Sequence, residues 1–220
     1  MKIKLLILDF DGTMADTRDN IVKTFRMALA EEGLPAVSED ACAATIGLTL
    51  QKAFPILCPG ISEQKAESCV DTYRRIFAEN KKILMPRLYP HVMETLARLE
   101  RNGLEMSIAS SRSTKSLIEF GAEMGFDRYI HCMVGAQDVE HTKPEPDAVI
   151  KILSDLGYRP GDALVIGDTK YDILMGRGAG TYTCGVTYGI GTRGEIVSSR
   201  ADFIIDSFDG LCDIAGCTQA

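Results

Sequence analysis

The sequence predicts an α/β protein: a doubly wound parallel sheet with an all-helical segment inserted after its first strand. Three observations predict it. Strand-length apolar runs recur along the 220 residues, helix-length segments separate most of them, and residues 18–83 carry no strand pattern at all. Buried strands that alternate with helices require a sheet covered on both faces.

The elements follow in order. The first run, Ile3 to Leu8, leads into Asp9-Phe10-Asp11-Gly12-Thr13. Residues 18–83 then read as helix after helix. Ile21, Phe25, Ala28 and Leu29 share one face; Ala66, Cys69, Val70, Tyr73, Ile76 and Phe77 share another. Val92, Leu96 and Leu99 mark a helix that Asn102-Gly103 stops. Leu104 to Ala109 and Ile130 to Val134 are strands. A helix opening at Lys143-Pro144 carries Val149, Ile152 and Leu156 as far as Gly157. Ala163 to Ile166, Thr181 to Val186 and Phe203 to Ile205 complete the sheet. The expected division is an α/β core from 1–15 and 84–220, with a helical insertion over 16–83.

Composition excludes several classes. The net charge is −7, from 24 Lys+Arg and 31 Asp+Glu, with no basic block. Polyanion binding needs phosphate-neutralising cations, so nucleic acid and anionic membrane are not expected partners. The early apolar stretch Leu5-Leu6-Ile7-Leu8 is too short for a signal core or a spanning helix. Seven dispersed cysteines, never spaced C-x-x-C, read as reduced thiols in the cytoplasm. His91, His131 and His141 form no H-x-x-x-H pair and read as surface or helix-end residues.

The chemistry gathers at strand ends. On an extended segment residues i and i+2 point the same way, so Asp9 and Asp11 are expected to project together with Phe10 opposite. Ligands of parallel α/β sheets bind beyond the carboxyl ends of the strands, and paired carboxylates there suit Mg²⁺. The same residues also make a good turn. Leu104 to Ala109 ends at Ser110-Ser111-Arg112, which brings hydroxyls to that mouth. Ala163 to Ile166 ends at Gly167-Asp168-Thr169-Lys170-Tyr171-Asp172. If a helix begins at Thr169, both carboxylates face one pocket; alternatively they are a cap with an acidic first turn. Lys143 sits in a Pro-stiffened loop. Each motif is ordinary alone. Together, four Asp, one Ser and one Lys at one sheet edge supply a nucleophile, a metal cage, a hydroxyl donor and a cation, the needs of phosphoryl transfer.

This ordered set resembles the haloacid dehalogenase-like hydrolase superfamily. The helical insertion looks like its α-helical cap, in the branch of phosphoglycolate phosphatase and β-phosphoglucomutase. Leu88-Tyr89-Pro90-His91-Val92 and Gly185-Val186-Thr187-Tyr188-Gly189 look closest to the phosphoglycolate phosphatase side. The resemblance implies a Rossmann-like core and a Mg²⁺-dependent phosphatase acting on a small phosphorylated metabolite, as a monomer or homodimer. Asp9 would attack phosphorus and form an aspartyl-phosphate. Asp11 would protonate the leaving alkoxide and then activate water. Mg²⁺ would be held by Asp9, the Asp11 carbonyl and Asp168, with Asp172 assisting. Ser110 and the loop groups of Gly12, Thr13 and Ser111 would hold the phosphoryl oxygens, and Lys143 would offset charge. Arg112 and Lys52 are candidates for a substrate's anionic tail. Thr49 lies in the stretch resembling a specificity loop, and Arg18 reads as a solvated helix start. The same residues leave open a sugar-phosphate mutase, a pyrophosphatase or nucleotidase, and a non-catalytic binder of a phosphorylated ligand. Dehalogenase and phosphonate hydrolase readings are disfavoured, because those relatives lack a carboxylate at the Asp11 position.

Gly189-Ile190-Gly191-Thr192-Arg193-Gly194 fits G-x-G-x-x-G literally. A dinucleotide site needs a βαβ unit of about 30 residues around it and an acidic residue at the next strand end. Only 26 residues follow Gly194, so a flexible loop flanking the pocket is expected instead.

Overall fold

All six apolar runs form strands, and the four inner ones bury both their faces. The computed structural model describes residues 3–80 and 83–218. Residues 1–2, 81–82 and 219–220, parts of the expected core and insertion ranges, lie outside the described residues. In chain order the elements are β1 (Leu5–Leu8), β2 (Ala15–Asp16), α1 (Arg18–Glu31), α2 (Glu39–Ala43), α3 (Leu50–Leu57), α4 (Glu63–Asn80) and β3 (Arg87–Leu88). There follow α5 (Val92–Arg101), β4 (Glu105–Ala109), α6 (Thr114–Met124), β5 (Ile130–Val134), α7 (Asp147–Leu156) and β6 (Ala163–Gly167). The chain ends with α8 (Lys170–Gly178), β7 (Tyr182–Val186), α9 (Arg193–Ser198), β8 (Phe203–Ile205) and α10 (Leu211–Ile214).

Six strands pair in parallel in the order β5-β4-β1-β6-β7-β8. Leu6 and Leu8 of β1 face a cluster that includes Leu96, Leu117 and Phe120 of α5 and α6. Leu5 and Ile7 face the other side, with Val149 and Ile152 of α7 and Met175 of α8. This is the period-2 alternation of a strand buried twice. Only the edge strands β5 and β8 are half-exposed. Register brings Leu8 level with Ile108 and Ile166, so β1, β4 and β6 end at one height. The order reverses beside β1, which opens a crevice at those ends.

Helices α1–α4 bury a cluster of their own around Phe25, Phe54 and Tyr73, with ring centres 5.2 Å and 4.8 Å from Phe25. The chain enters and leaves this stretch through an antiparallel ribbon, in which Ala15 faces Leu88 and Asp16 faces Arg87.

One helix starts later than the sequence suggests. α7 opens at Asp147, not at Lys143-Pro144. Pro144 and Pro146 bar the residues before them from helical backbone, so Lys143 stays in the loop.

Candidate active site

The ends of the three central strands assemble the site. The Asp9 amide donates to the Ile166 carbonyl at 2.9 Å, which carries the sheet ladder one residue past β1 and fixes the Asp9 carboxylate above it. Asp168 follows β6 directly, and Asp172 lies in the first turn of α8. Lys143 reaches in from the loop before α7; its Nζ lies 2.7 Å from Asp9 Oδ1 and 2.6 Å from Asp172 Oδ1. All four side chains are buried.

Asp172 serves both sequence readings at once. Its Oδ2 accepts from the Thr169 amide at 3.0 Å and the Thr169 hydroxyl at 2.7 Å, capping α8, while Oδ1 faces Lys143. Asp168 is held by the Thr13 hydroxyl at 3.2 Å and by the amides of Ile190 and Gly191 at 2.7 and 3.3 Å.

Oxygens of Asp9, Asp168 and Asp172 all lie within 4.8 Å of one another. Burial drives the Asp9 carboxyl well above the usual range; Lys143 pulls it down, and Asp172 and Asp168 push it up. Burial, followed by Asp172, pushes Asp168 up to about 7, against the two amides that favour its charge. Burial works against the Lys143 charge, but Asp172 and Asp9 outweigh it and hold its pKa above the ordinary value. Three carboxylates thus face one ammonium, and such an excess of buried charge is costly without a further cation. Asp9 Oδ1, apart from its ion pair, has no hydrogen-bond donor. A hard, oxygen-rich, electron-excess cage with an unfilled lone pair fits a divalent cation such as Mg²⁺.

The Asp11 carboxylate has a partner of its own. It does not join the Asp9 cluster but turns to Arg112, whose Nε lies 2.9 Å from both carboxylate oxygens. The strand has ended at Leu8, so the alternation no longer governs. Instead the amides of Met14 and Ala15 both donate to the Phe10 carbonyl at 3.0 Å, in a tight turn. Phe10 does point away, stacking on Phe120 at 5.4 Å. Gly12 completes the turn at φ 82°, where a Cβ would lie 2.2 Å from Asp168 Oδ2. Only glycine fits both demands.

Ser110 sits buried just beyond β4, its hydroxyl accepting from the Arg112 amide at 3.3 Å. Ser111 donates to the Gly47 carbonyl at 2.7 Å, tying the helical segment to the core. Lys52 makes a second tie, donating to the carbonyl of Lys143 at 3.3 Å. Thr49 is buried at the start of α3, and Arg18 pairs with Asp40 at the surface. Between these parts lies a cavity of about 820 Å³, which reaches the strand ends at Asp11, Ser111 and Arg112.

The Gly189–Gly194 loop is more constrained than expected. Its amides hold Asp168, and a Cβ on Gly189 would lie 2.3 Å from the Gly12 carbonyl oxygen. Thr192 caps α9. The glycines are there for close backbone approach to a carboxylate. Sequence reasoning missed this role and that of Tyr188, which donates to the Thr13 carbonyl at 2.9 Å. The paired glycines carried the signal, but a loop partner 22 residues upstream cannot be read from them.

A family model described as haloacid dehalogenase-like hydrolase matches residues 6–186. The chain belongs to this family. It is 34% identical to "Probable phosphatase IndB" of Dickeya dadantii, over 98% of this chain and 94% of that one. It is 28% identical to pyrophosphatase PpaX of Anoxybacillus flavithermus, over the full length of both. A solved structure titled a predicted phosphoglycolate phosphatase, from Haemophilus somnus, superposes with a TM-score of 0.88 at 27% identity, covering 97% and 98% of the two chains. The chain is thus a hydrolase of this family's phosphatase type, on an α/β core.

Proposed function

We propose that this protein is a Mg²⁺-dependent phosphatase that cleaves an organic phosphomonoester through an aspartyl-phosphate on Asp9. The observation that carries the reading is the buried Asp9–Lys143–Asp172 arrangement, with Asp168 beside it. Asp9, Asp168 and Asp172 would hold the metal with the Asp11 carbonyl, and Mg²⁺ when bound supplies charge that offsets the phosphoryl oxygens. The Asp9 carboxylate attacks phosphorus as the ester oxygen leaves. Lys143 fixes the attacking carboxylate and lowers repulsion between it and the phosphoryl group. Asp11, placed by Arg112 at the cavity wall, protonates the departing oxygen and then takes a proton from the hydrolytic water. Ser110 donates to the phosphoryl group. Helices α1–α4 act as a cap that keeps bulk water from the intermediate, which the Ser111–Gly47 and Lys52–Lys143 ties support. Seven free cysteines fit a reducing, cytoplasmic setting.

Full-length similarity to a pyrophosphatase favours a second reading, in which pyrophosphate takes the place of the ester. The test is phosphate release from 4-nitrophenyl phosphate, phosphoglycolate and pyrophosphate with Mg²⁺. Asp9→Asn should abolish release while leaving the circular dichroism spectrum intact. An Asp9→Asn protein as active as the wild type would sink the aspartyl-phosphate reading.

A further inference from the structure

The cavity beside Asp11 has walls of distinct character. On the helical side stand Phe25, Tyr73 and Phe77, with Ile46 and Leu48. Tyr73 and Phe77 lie nearly parallel, their planes 10° apart and ring centres 6.3 Å apart. Tyr73 is 7% exposed, yet no hydrogen bond engages its hydroxyl among the described residues. The ring is buried but the hydroxyl is not sealed from solvent, and Tyr73 lines the cavity, so the hydroxyl is open to a ligand there. The volume of about 820 Å³ lies high in the range of roughly 300–1,000 Å³ that encloses drug-sized molecules. A two-carbon carboxylate or a second phosphate would leave most of it to water.

Charge points the same way. Lys143 is already matched by Asp9 and Asp172, and Arg112 is matched by Asp11. Arg74 and Lys115 also line the cavity, but both are exposed, and Arg74 has Asp71 at 3.5 Å. Cations in water contribute little to an ion pair. Among the described residues, no buried cation is left over for a second anionic group on the substrate. Such a group would find only water and exposed, weakly held cations as partners, so it gains little from binding there.

Resting on the phosphatase reading, we propose that the preferred esters have an uncharged leaving group built on a flat ring. The ring packs on the Tyr73–Phe77 wall, and a polar atom on it meets the Tyr73 hydroxyl. Phosphoglycolate and pyrophosphate, each with a second anion and no ring, are poor substrates.

The test compares kcat/KM of the full chain with Mg²⁺ for benzyl phosphate, 4-carboxybenzyl phosphate, pyridin-4-ylmethyl phosphate, phosphoglycolate and pyrophosphate. Benzyl phosphate should exceed its carboxylated analogue, phosphoglycolate and pyrophosphate by about tenfold or more. Tyr73→Phe should erase the advantage of the pyridine ester over the benzyl ester. Leu48→Arg, which adds a cation to the wall, should narrow the ratio of benzyl to carboxybenzyl ester. Phosphoglycolate or pyrophosphate turned over as well as benzyl phosphate overturns the leaving-group inference and leaves the phosphatase standing. If no ester is hydrolysed, 4-nitrophenyl phosphate included, the phosphatase reading falls. Calorimetry then decides the cavity: tighter binding of benzylphosphonate than of phosphonoacetate upholds the ring site, and the reverse overturns it.

Discussion

Arg112 grips Asp11 by both carboxylate oxygens, with Nη2 a further 2.8 Å from Oδ1, and lies over three aromatic rings. The guanidinium carbon is 5.6 Å from the centre of Phe10, 5.2 Å from Phe77 and 5.0 Å from Phe120. Phe77 belongs to α4, so one cation joins the proposed acid–base residue to the helical segment. Lysine cannot fork or stack in this way. Arg112→Lys should therefore lower kcat by about 10- to 100-fold, with a smaller change in KM. Steady-state kinetics on one ester checks it. An unchanged kcat means the fork does not position Asp11.

The acidic cage predicts a metal-linked gain in stability. A ligand at 100 times its Kd adds about 2.7 kcal/mol to the folded state. Saturating Mg²⁺ should raise the melting temperature of chelator-treated protein, and Asp168→Asn should remove most of the rise. Differential scanning calorimetry with and without Mg²⁺ reads the difference; equal shifts in both proteins would place the ion elsewhere.

Gly189→Ala tests the loop over Asp168. The added Cβ would meet the Asp168 Cβ and the Gly12 carbonyl oxygen, both at 2.3 Å, and neither can move cheaply. The expected cost is about 2–3 kcal/mol in urea denaturation, of the kind overpacking brings, together with lost activity. Gly33→Ala is the contrast: nothing lies within 4 Å of its Cβ, and only its φ of 67° is strained.

Glu32 predicts an acid-sensitive joint in the helical segment. At the end of α1 it accepts from Lys65 at 2.7 Å, Ser68 at 2.9 Å and Thr72, all on α4. The Lys65 and Thr72 bonds lower its carboxyl to about 2 from an ordinary 4.5. A lowered folded-state pKa stabilises above the unfolded value and loses that contribution as pH falls from 4.5 through about 2. With the side chain 11% exposed, the screened contribution is on the order of 1–2 kcal/mol. Glu32→Gln should flatten the decline of stability across that window. Thermal melts from pH 5 to pH 2 check it, and parallel curves for both proteins would remove the joint.

By itself the sequence determined what local pattern can encode. Apolar runs of strand length, separated by helical stripes, left a doubly wound parallel sheet as the consistent solution, and Ile130–Val134 and Phe203–Ile205 match their strands residue for residue. The strand-end positions of Asp9, Ser110 and Asp168 followed, since a parallel sheet brings all such ends to one edge. Tertiary structure decided what those side chains do once there. Asp11 turns to Arg112 because the chain leaves extended backbone after Leu8, and a partner 101 residues away waits on another strand end. Gly189 and Gly191 close on Asp168 because β7 lies beside β6, an adjacency absent from any local window. The same holds for the ring-lined cavity: Tyr73 and Phe77 read only as an apolar helix face until α4 is laid against Arg112. Periodicity reports which face of an element is buried; only long-range packing chooses what it is buried against.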